Sequence, residues 1–185
     1  KTDSQIVYEV MRLAALDENV VKSNLTAALD HYVTFLDVTL RREDIKIFDG
    51  VVSILSDLQN FKDIAVGLLT GNVIRGARIK LARAGIDHFF FNGQSPIGAF
   101  GSDAMYRNEL PQIAVDRAEK RCHRRFKEKE IIIVGDSPSD VLCGKSLNVC
   151  SVAVATGWHT KEELQAYQPD FLFNDLSNTK EFLEV

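Results

Sequence analysis

The 185-residue sequence is 45% apolar and 26% charged, with a formal net charge of −4. That make-up suits one folded core with room for a small accessory module. Three classes of protein are disfavoured at once. No apolar stretch nears the roughly 20 residues of a membrane-spanning helix. The net negative charge argues against a nucleic-acid partner. The three cysteines, Cys122, Cys143 and Cys150, fit neither a disulfide framework nor a zinc site, and read as reduced thiols of a cytoplasmic protein. The first residue is Lys1 rather than Met.

Residues 1–43 read as helices. Thr2 with Gln5 forms a capping-box pattern. Ile6, Val10 and Leu13 then recur at helical spacing, with Val7, Met11 and Ala14 beside them. Val21, Leu25, Ala28, Leu29, Tyr32, Val33 and Leu36 form the wide apolar stripe of a longer helix.

Strands enter after about residue 46. Gly50 opens a helix with Val51, Leu55 and Leu58. Residues 64–69 read as a buried strand ending in Thr70-Gly71-Asn72. A helix over 74–84 is stopped by Gly85. Phe89 to Phe91 reads as a short strand, and 92–106 as a loop rich in Gly and Ser. A helix from Leu110 has Pro111 in its first turn, where proline is tolerated. Its far end opens a basic stretch, residues 117–129, read as a solvated helix end. Residues 131–134 form a second continuous apolar strand, ending in Gly135-Asp136. A helix over 140–147, a strand over 151–155, a helix capped by Thr160 and Glu163, a strand over 171–173 and a helix over 177–183 complete the chain. All-apolar strands alternating with helices predict an α/β fold with a doubly wound parallel sheet.

Ligands of such sheets gather at the carboxyl ends of the strands. Asp136 stands at a strand tip and Asp140 one turn into the next helix, so both carboxylates can face one point. Hard cations such as Mg²⁺ take such oxygen ligands; helix capping is the competing structural role. Thr70, Gly71 and Asn72 offer a hydroxyl and backbone N–H groups at a helix start, an anion cradle, against an ordinary cap and turn.

The two sites together are more specific. An apolar strand with Thr70-Gly71-Asn72, then, after about 65 residues, an apolar strand with Gly135-Asp136 and Asp140, resembles the second and fourth motifs of the haloacid-dehalogenase superfamily. That resemblance implies a third-motif cation, and Arg107, 29 residues before Asp136, holds the expected place. Lys120 is the competitor, but falls mid-helix. Residues 1–45 resemble the helical cap of phosphoglycolate-phosphatase-like members, leaving 46–185 as the α/β core. Lys1-Thr2-Asp3 before the first helix and Ala155-Thr156-Gly157 after a strand resemble the same branch.

The family's first motif, Asp-x-Asp-x-Thr or Val, carries the nucleophile and general acid/base. No such pattern occurs in these 185 residues. Asp49, in Phe48-Asp49-Gly50, follows no apolar strand and reads as a helix-start residue. The resemblance therefore implies a first strand and nucleophile upstream of Lys1. It further implies a Mg²⁺-dependent phosphatase of a small phosphorylated metabolite, acting through an aspartyl phosphate. Thr70 and Arg107 would hold the phosphoryl oxygens, with Gly71 and Asn72 beside them. Asp136 would bind the metal, and Asp140 would order its shell. His159 and Trp158 read as packing their own loop. The other readings are a sugar phosphomutase or dehalogenase of the same superfamily, a binding protein that has lost the nucleophile, and a phospho-receiver domain, which the helical start disfavours. Upstream sequence separates the enzyme from the binder.

Overall fold

The computed structural model describes residues 1–91 and 95–185. In chain order the elements are α1 (Asp3–Leu13), α2 (Glu18–Thr39), α3 (Val51–Leu58), β1 (Leu68–Leu69), α4 (Ile74–Ala84), β2 (Gly98–Ala99), α5 (Leu110–Cys122), β3 (Ile132–Gly135), α6 (Pro138–Ser146), β4 (Cys150–Val154), α7 (Lys161–Ala166), β5 (Phe171–Phe173) and α8 (Thr179–Phe182). Short 3-10 turns precede several of them, including Arg107–Glu109 before α5. The chain divides into two compact units, Lys1–Lys46 with Gly67–Ala114, and Ile47–Val66 with Val115–Val185.

In the first unit, α1 starts at the Thr2 cap, whose Oγ1 accepts from Gln5 N at 3.0 Å. Asp17 caps α2 in the same way, accepting from Asn19 N at 2.8 Å. The α2 stripe is the face turned inward: Val21 and Val33 are buried, and Leu25, Ala28, Leu29, Tyr32 and Leu36 are half-buried. The expected α1 stripe is not. Ile6, Val10 and Leu13 are 45%, 58% and 87% exposed, while Ser4 is buried and Val7 and Met11 are half-buried. Polar contacts set this face: Thr2 Oγ1 donates to Met105 O at 2.5 Å and Ser4 Oγ to Gly101 O at 2.6 Å. A buried hydroxyl must find such a partner, which outweighs a purely apolar preference.

Strands β1 and β2 run parallel, joined across α4. The strand expected over 64–69 is confined to Leu68–Leu69, and Ile64 is 47% exposed. Phe89 to Phe91 is no strand: Asp87–Phe89 is a 3-10 turn, and Phe90 N and Phe91 N both donate back to Asp87 O. The expected loop over 92–106 contains β2 instead; its residues 92–94 lie outside those described.

In the second unit, β3, β4 and β5 form a parallel sheet in that order, with α6 and α7 as crossovers. Parallel neighbours joined through a helix are βαβ units. β4 is central and buried along its length. Val141, Ala153 and Leu164 pack on one face; Cys150, Val152 and Val154 meet Phe173, Leu176 and Phe182 on the other. β3 departs from its expectation as a fully buried strand. It is an end strand, and Ile132 and Val134 are 44% and 43% exposed. No helix among the described residues is long and apolar enough to cross a membrane.

Candidate active site

The Thr70-Gly71-Asn72 turn closes β1 and leads into α4. Backbone on two sides clamps it. Thr70 N donates to Ala99 O at 3.0 Å, Gly101 N to Asn72 O at 2.8 Å, and Asp3 N to Gly71 O at 2.7 Å. A Cβ at Gly71 would stand 2.4 Å from Lys1 O, and one at Gly101 1.9 Å from Gly71 O. Both approaches require glycine, since no side-chain atom tolerates such contact with backbone.

The anion cradle at this helix start is narrower than the sequence suggests. Val73 N donates to Asp3 Oδ2 at 2.9 Å and Ile74 N to Ser102 Oγ at 3.3 Å. Asp3 thus places its own carboxylate at the positive end of α4. Thr70 Oγ1 accepts from Asn72 N at 3.1 Å and from Asn72 Nδ2 at 2.8 Å. Asn72 Oδ1 in turn accepts from Lys80 Nζ at 2.5 Å. Asp3 entered the sequence reading only through the family resemblance of Lys1-Thr2-Asp3, and its partner lies 70 residues away; Lys80 did not stand out, though it lies only eight residues from Asn72. Arg107 begins the 3-10 turn before α5, two residues beyond the Met105 carbonyl that Thr2 holds. Lys120 lies in the last turn of α5 and is exposed.

The carboxylates Asp136 and Asp140 belong to the second unit. Asp136 follows β3 and is exposed. A Cβ at Gly157 would lie 2.3 Å from Asp136 Oδ2, so the turn after β4 backs directly onto this carboxylate. Asp140 is buried at 7% exposure. Its Oδ2 accepts from Ser137 N at 3.1 Å and from Ser137 Oγ at 2.6 Å, a capping box at the start of α6. A Cβ at Gly135 would stand 2.2 Å from its Cγ. Ser137 is the contributor here that the sequence left unmarked; Gly157 was marked only through the family resemblance. No group of three or more His, Cys, Asp or Glu able to hold a metal occurs among the described residues. The donor set that remains, one exposed carboxylate backed by a second, suits Mg²⁺, which keeps several of its waters. Trp158 does not pack its loop: it is 100% exposed. His159 Nδ1 stands 3.4 Å from Glu163 Oε2.

A family model described as HAD-hydrolase-like matches residues 106–179, the stretch that includes Arg107, Asp136 and Asp140. Over that stretch the chain is similar to haloacid-dehalogenase-like hydrolases. The pyrophosphatase PpaX of Oceanobacillus iheyensis is 25% identical over 147 residues, covering 78% of this chain and 64% of that protein. The phosphoglycolate phosphatase of Colwellia psychrerythraea is 23% identical over 160 residues, covering 86% and 64%. That of Vibrio parahaemolyticus is 27% identical over 89 residues, covering 48% and 38%. The chain therefore spans 38% to 64% of the length of these curated relatives. Among solved structures, a predicted phosphoglycolate phosphatase from Haemophilus somnus superposes with a TM-score of 0.65 at 20% identity, covering 97% of this chain and 75% of that one. A β-phosphoglucomutase from Clostridium difficile gives 0.66 at 17%, covering 99% and 75%. These two likenesses establish the haloacid-dehalogenase-like fold, and the phosphatase relatives bear out the resemblance to the phosphoglycolate-phosphatase-like branch.

Proposed function

We propose that this haloacid-dehalogenase-like chain is the larger part of a Mg²⁺-dependent phosphatase acting on a small phosphorylated metabolite. The nucleophilic Asp would lie upstream of Lys1, on a first strand. The exposed apolar side chains of Ile132 and Val134, on an end strand, support a further element beside β3. Residues 1–45 would form the helical cap and 46–185 the core. The cytoplasmic setting, read from the three thiols, belongs to the same proposal.

The observation that carries the reading is the pair of carboxylates after β3, each seated against a glycine, Asp136 on Gly157 and Asp140 on Gly135. Asp136 would ligate the cation, and Asp140 would hold the turn that aims Asp136. When bound, Mg²⁺ would neutralise part of the charge that keeps an anionic nucleophile from a phosphate. The upstream Asp would attack phosphorus, forming an aspartyl phosphate as the phosphorus–oxygen ester bond breaks; water would then release phosphate and regenerate the carboxylate. The Thr70 hydroxyl and the Arg107 guanidinium would bind the transferring phosphoryl oxygens. Arg107 keeps a permanent charge and can clamp two oxygens at once. Phosphate release from a panel of phosphomonoesters by the full-length protein, with and without Mg²⁺, tests the reading. Metal-dependent turnover supports it; no turnover on any ester, with an upstream sequence lacking Asp-x-Asp, makes the chain a binding protein.

A further inference from the structure

The hydrogen bonds around Thr70 define a direction as well as a position. Its Oγ1 accepts two, from Asn72 N and from Asn72 Nδ2. A threonine hydroxyl has two lone pairs and one hydrogen. With both lone pairs engaged, only the hydrogen is left to offer a ligand. Thr70 is thereby a donor, suited to an oxygen that only accepts, as a phosphoryl oxygen does.

That polarity depends on which way the Asn72 amide faces. An asparagine amide can turn over, exchanging an acceptor for a donor. With its oxygen toward Thr70, it would draw the hydroxyl hydrogen to itself and remove it from the ligand. Lys80 settles the matter. Its ammonium carries donors alone, so the group it meets must be the amide oxygen, and the structure has Lys80 Nζ donating to Asn72 Oδ1. The Asn72 NH₂ is then left for Thr70. Lys80 lies two turns into α4, which holds it over the turn that precedes the same helix.

We propose that Lys80 is a positioning residue: through Asn72 it fixes the Thr70 hydroxyl as a hydrogen-bond donor to the transferring phosphoryl group. This rests on the phosphatase reading above and deepens it. Five variants of the full-length protein, four single and one double, separate the possibilities. Thr70→Val removes the donor and should lower kcat on the order of 10²–10³-fold, as loss of a single oxyanion donor does. Asn72→Asp keeps the size and the Lys80 contact but puts an acceptor against Thr70; it should approach the Thr70→Val loss. Lys80→Glu should turn the amide over and do the same, whereas Lys80→Arg, still only a donor, should restore most of kcat. The double variant Lys80→Glu with Thr70→Val should be no slower than Thr70→Val alone, because the two changes remove one interaction. Independent, multiplying losses would mark Lys80 as merely structural and overturn the inference, as would Lys80→Glu at the wild-type kcat beside a slow Thr70→Val. If Thr70→Val itself turns over at the wild-type rate, the phosphatase assignment of Thr70 fails, and the role of Lys80 with it.

Discussion

The alpha carbon of Gly157 sits against the carboxylate of Asp136, so closely that a Cβ there would stand 2.3 Å from Oδ2 and 2.8 Å from Cγ. With glycine at 157 the turn after β4 backs onto the tip of β3 without displacing that carboxylate. The Gly157→Ala variant should therefore push Asp136 aside. The obstructed atoms end a short, exposed side chain, so the fold should survive. Mg²⁺ affinity, followed by titration calorimetry on the full-length protein, should fall by about 10-fold or more, as loss of an outer support to a metal ligand does. An unchanged affinity would mean that Asp136 does not bind the cation.

Gly135 meets the other carboxylate, and here the outcome differs. A Cβ would stand 2.2 Å from Asp140 Cγ and 2.4 Å from its Cβ. The Asp140 Cβ cannot swing away without moving α6. Gly135→Ala should cost about 1–3 kcal/mol of unfolding free energy, the usual penalty for overpacking. Urea denaturation measures it. A loss near zero would show that the turn carries no such constraint.

The pairing of Ser151 with Asp170 gives a pH dependence. Asp170 Oδ2 accepts from Ser151 N at 2.8 Å and from Ser151 Oγ at 2.9 Å, and Lys129 Nζ lies 3.0 Å from Oδ1. The Ser151 backbone N–H first, then Lys129, hold this carboxyl below the usual carboxylate range. A pKa lowered by folding stabilises the native state fully above the unfolded value, and that stability is lost as pH falls through the lowered folded one. Stability should thus decline between about pH 3.9, the ordinary value for Asp, and more acid pH. Asp170→Asn should flatten this limb. At neutral pH it should cost about 1 kcal/mol, a modest figure because the side chain is 38% exposed. Parallel acid limbs in the two proteins would refute the assignment.

How much of this was legible in the sequence depends on where each constraint lies. The α2 stripe is a local pattern, and its seven residues are all buried or half-buried in the structure. The caps at Thr2 and Thr160 are local too, and both form. The face of α1 was not legible, because Thr2 and Ser4 answer to carbonyls about a hundred residues away. Three consecutive phenylalanines looked like a strand, yet their backbone turns back on Asp87. β2 escaped notice since Gly98 and Ala99 have no strand character; Gly98 pairs because its backbone comes close to Leu68. At the site, motif spacing marked Thr70, Arg107, Asp136 and Asp140. It could not mark Lys80, whose meaning comes only from the amide it faces.

The third-motif assignment separates two cations. Arg107→Ala in the full-length protein should lower kcat/KM by about 10²-fold or more, the scale of a lost phosphoryl-binding charge. Lys120→Ala, an exposed position in the last turn of α5, should change it little. Steady-state kinetics on one phosphomonoester decides between them, and the reverse order would move the role to Lys120.

The most direct test of the whole account is Mg²⁺-dependent phosphate release by the full-length protein and its Asp136→Asn variant, at equal, saturating substrate. The substitution keeps the shape of the side chain against Gly157 and removes its charge. The account predicts metal-dependent release in the wild type and a rate lower on the order of 10²–10³-fold in the variant, whatever the Mg²⁺ concentration within its solubility. Release at near the wild-type rate by Asp136→Asn would contradict it.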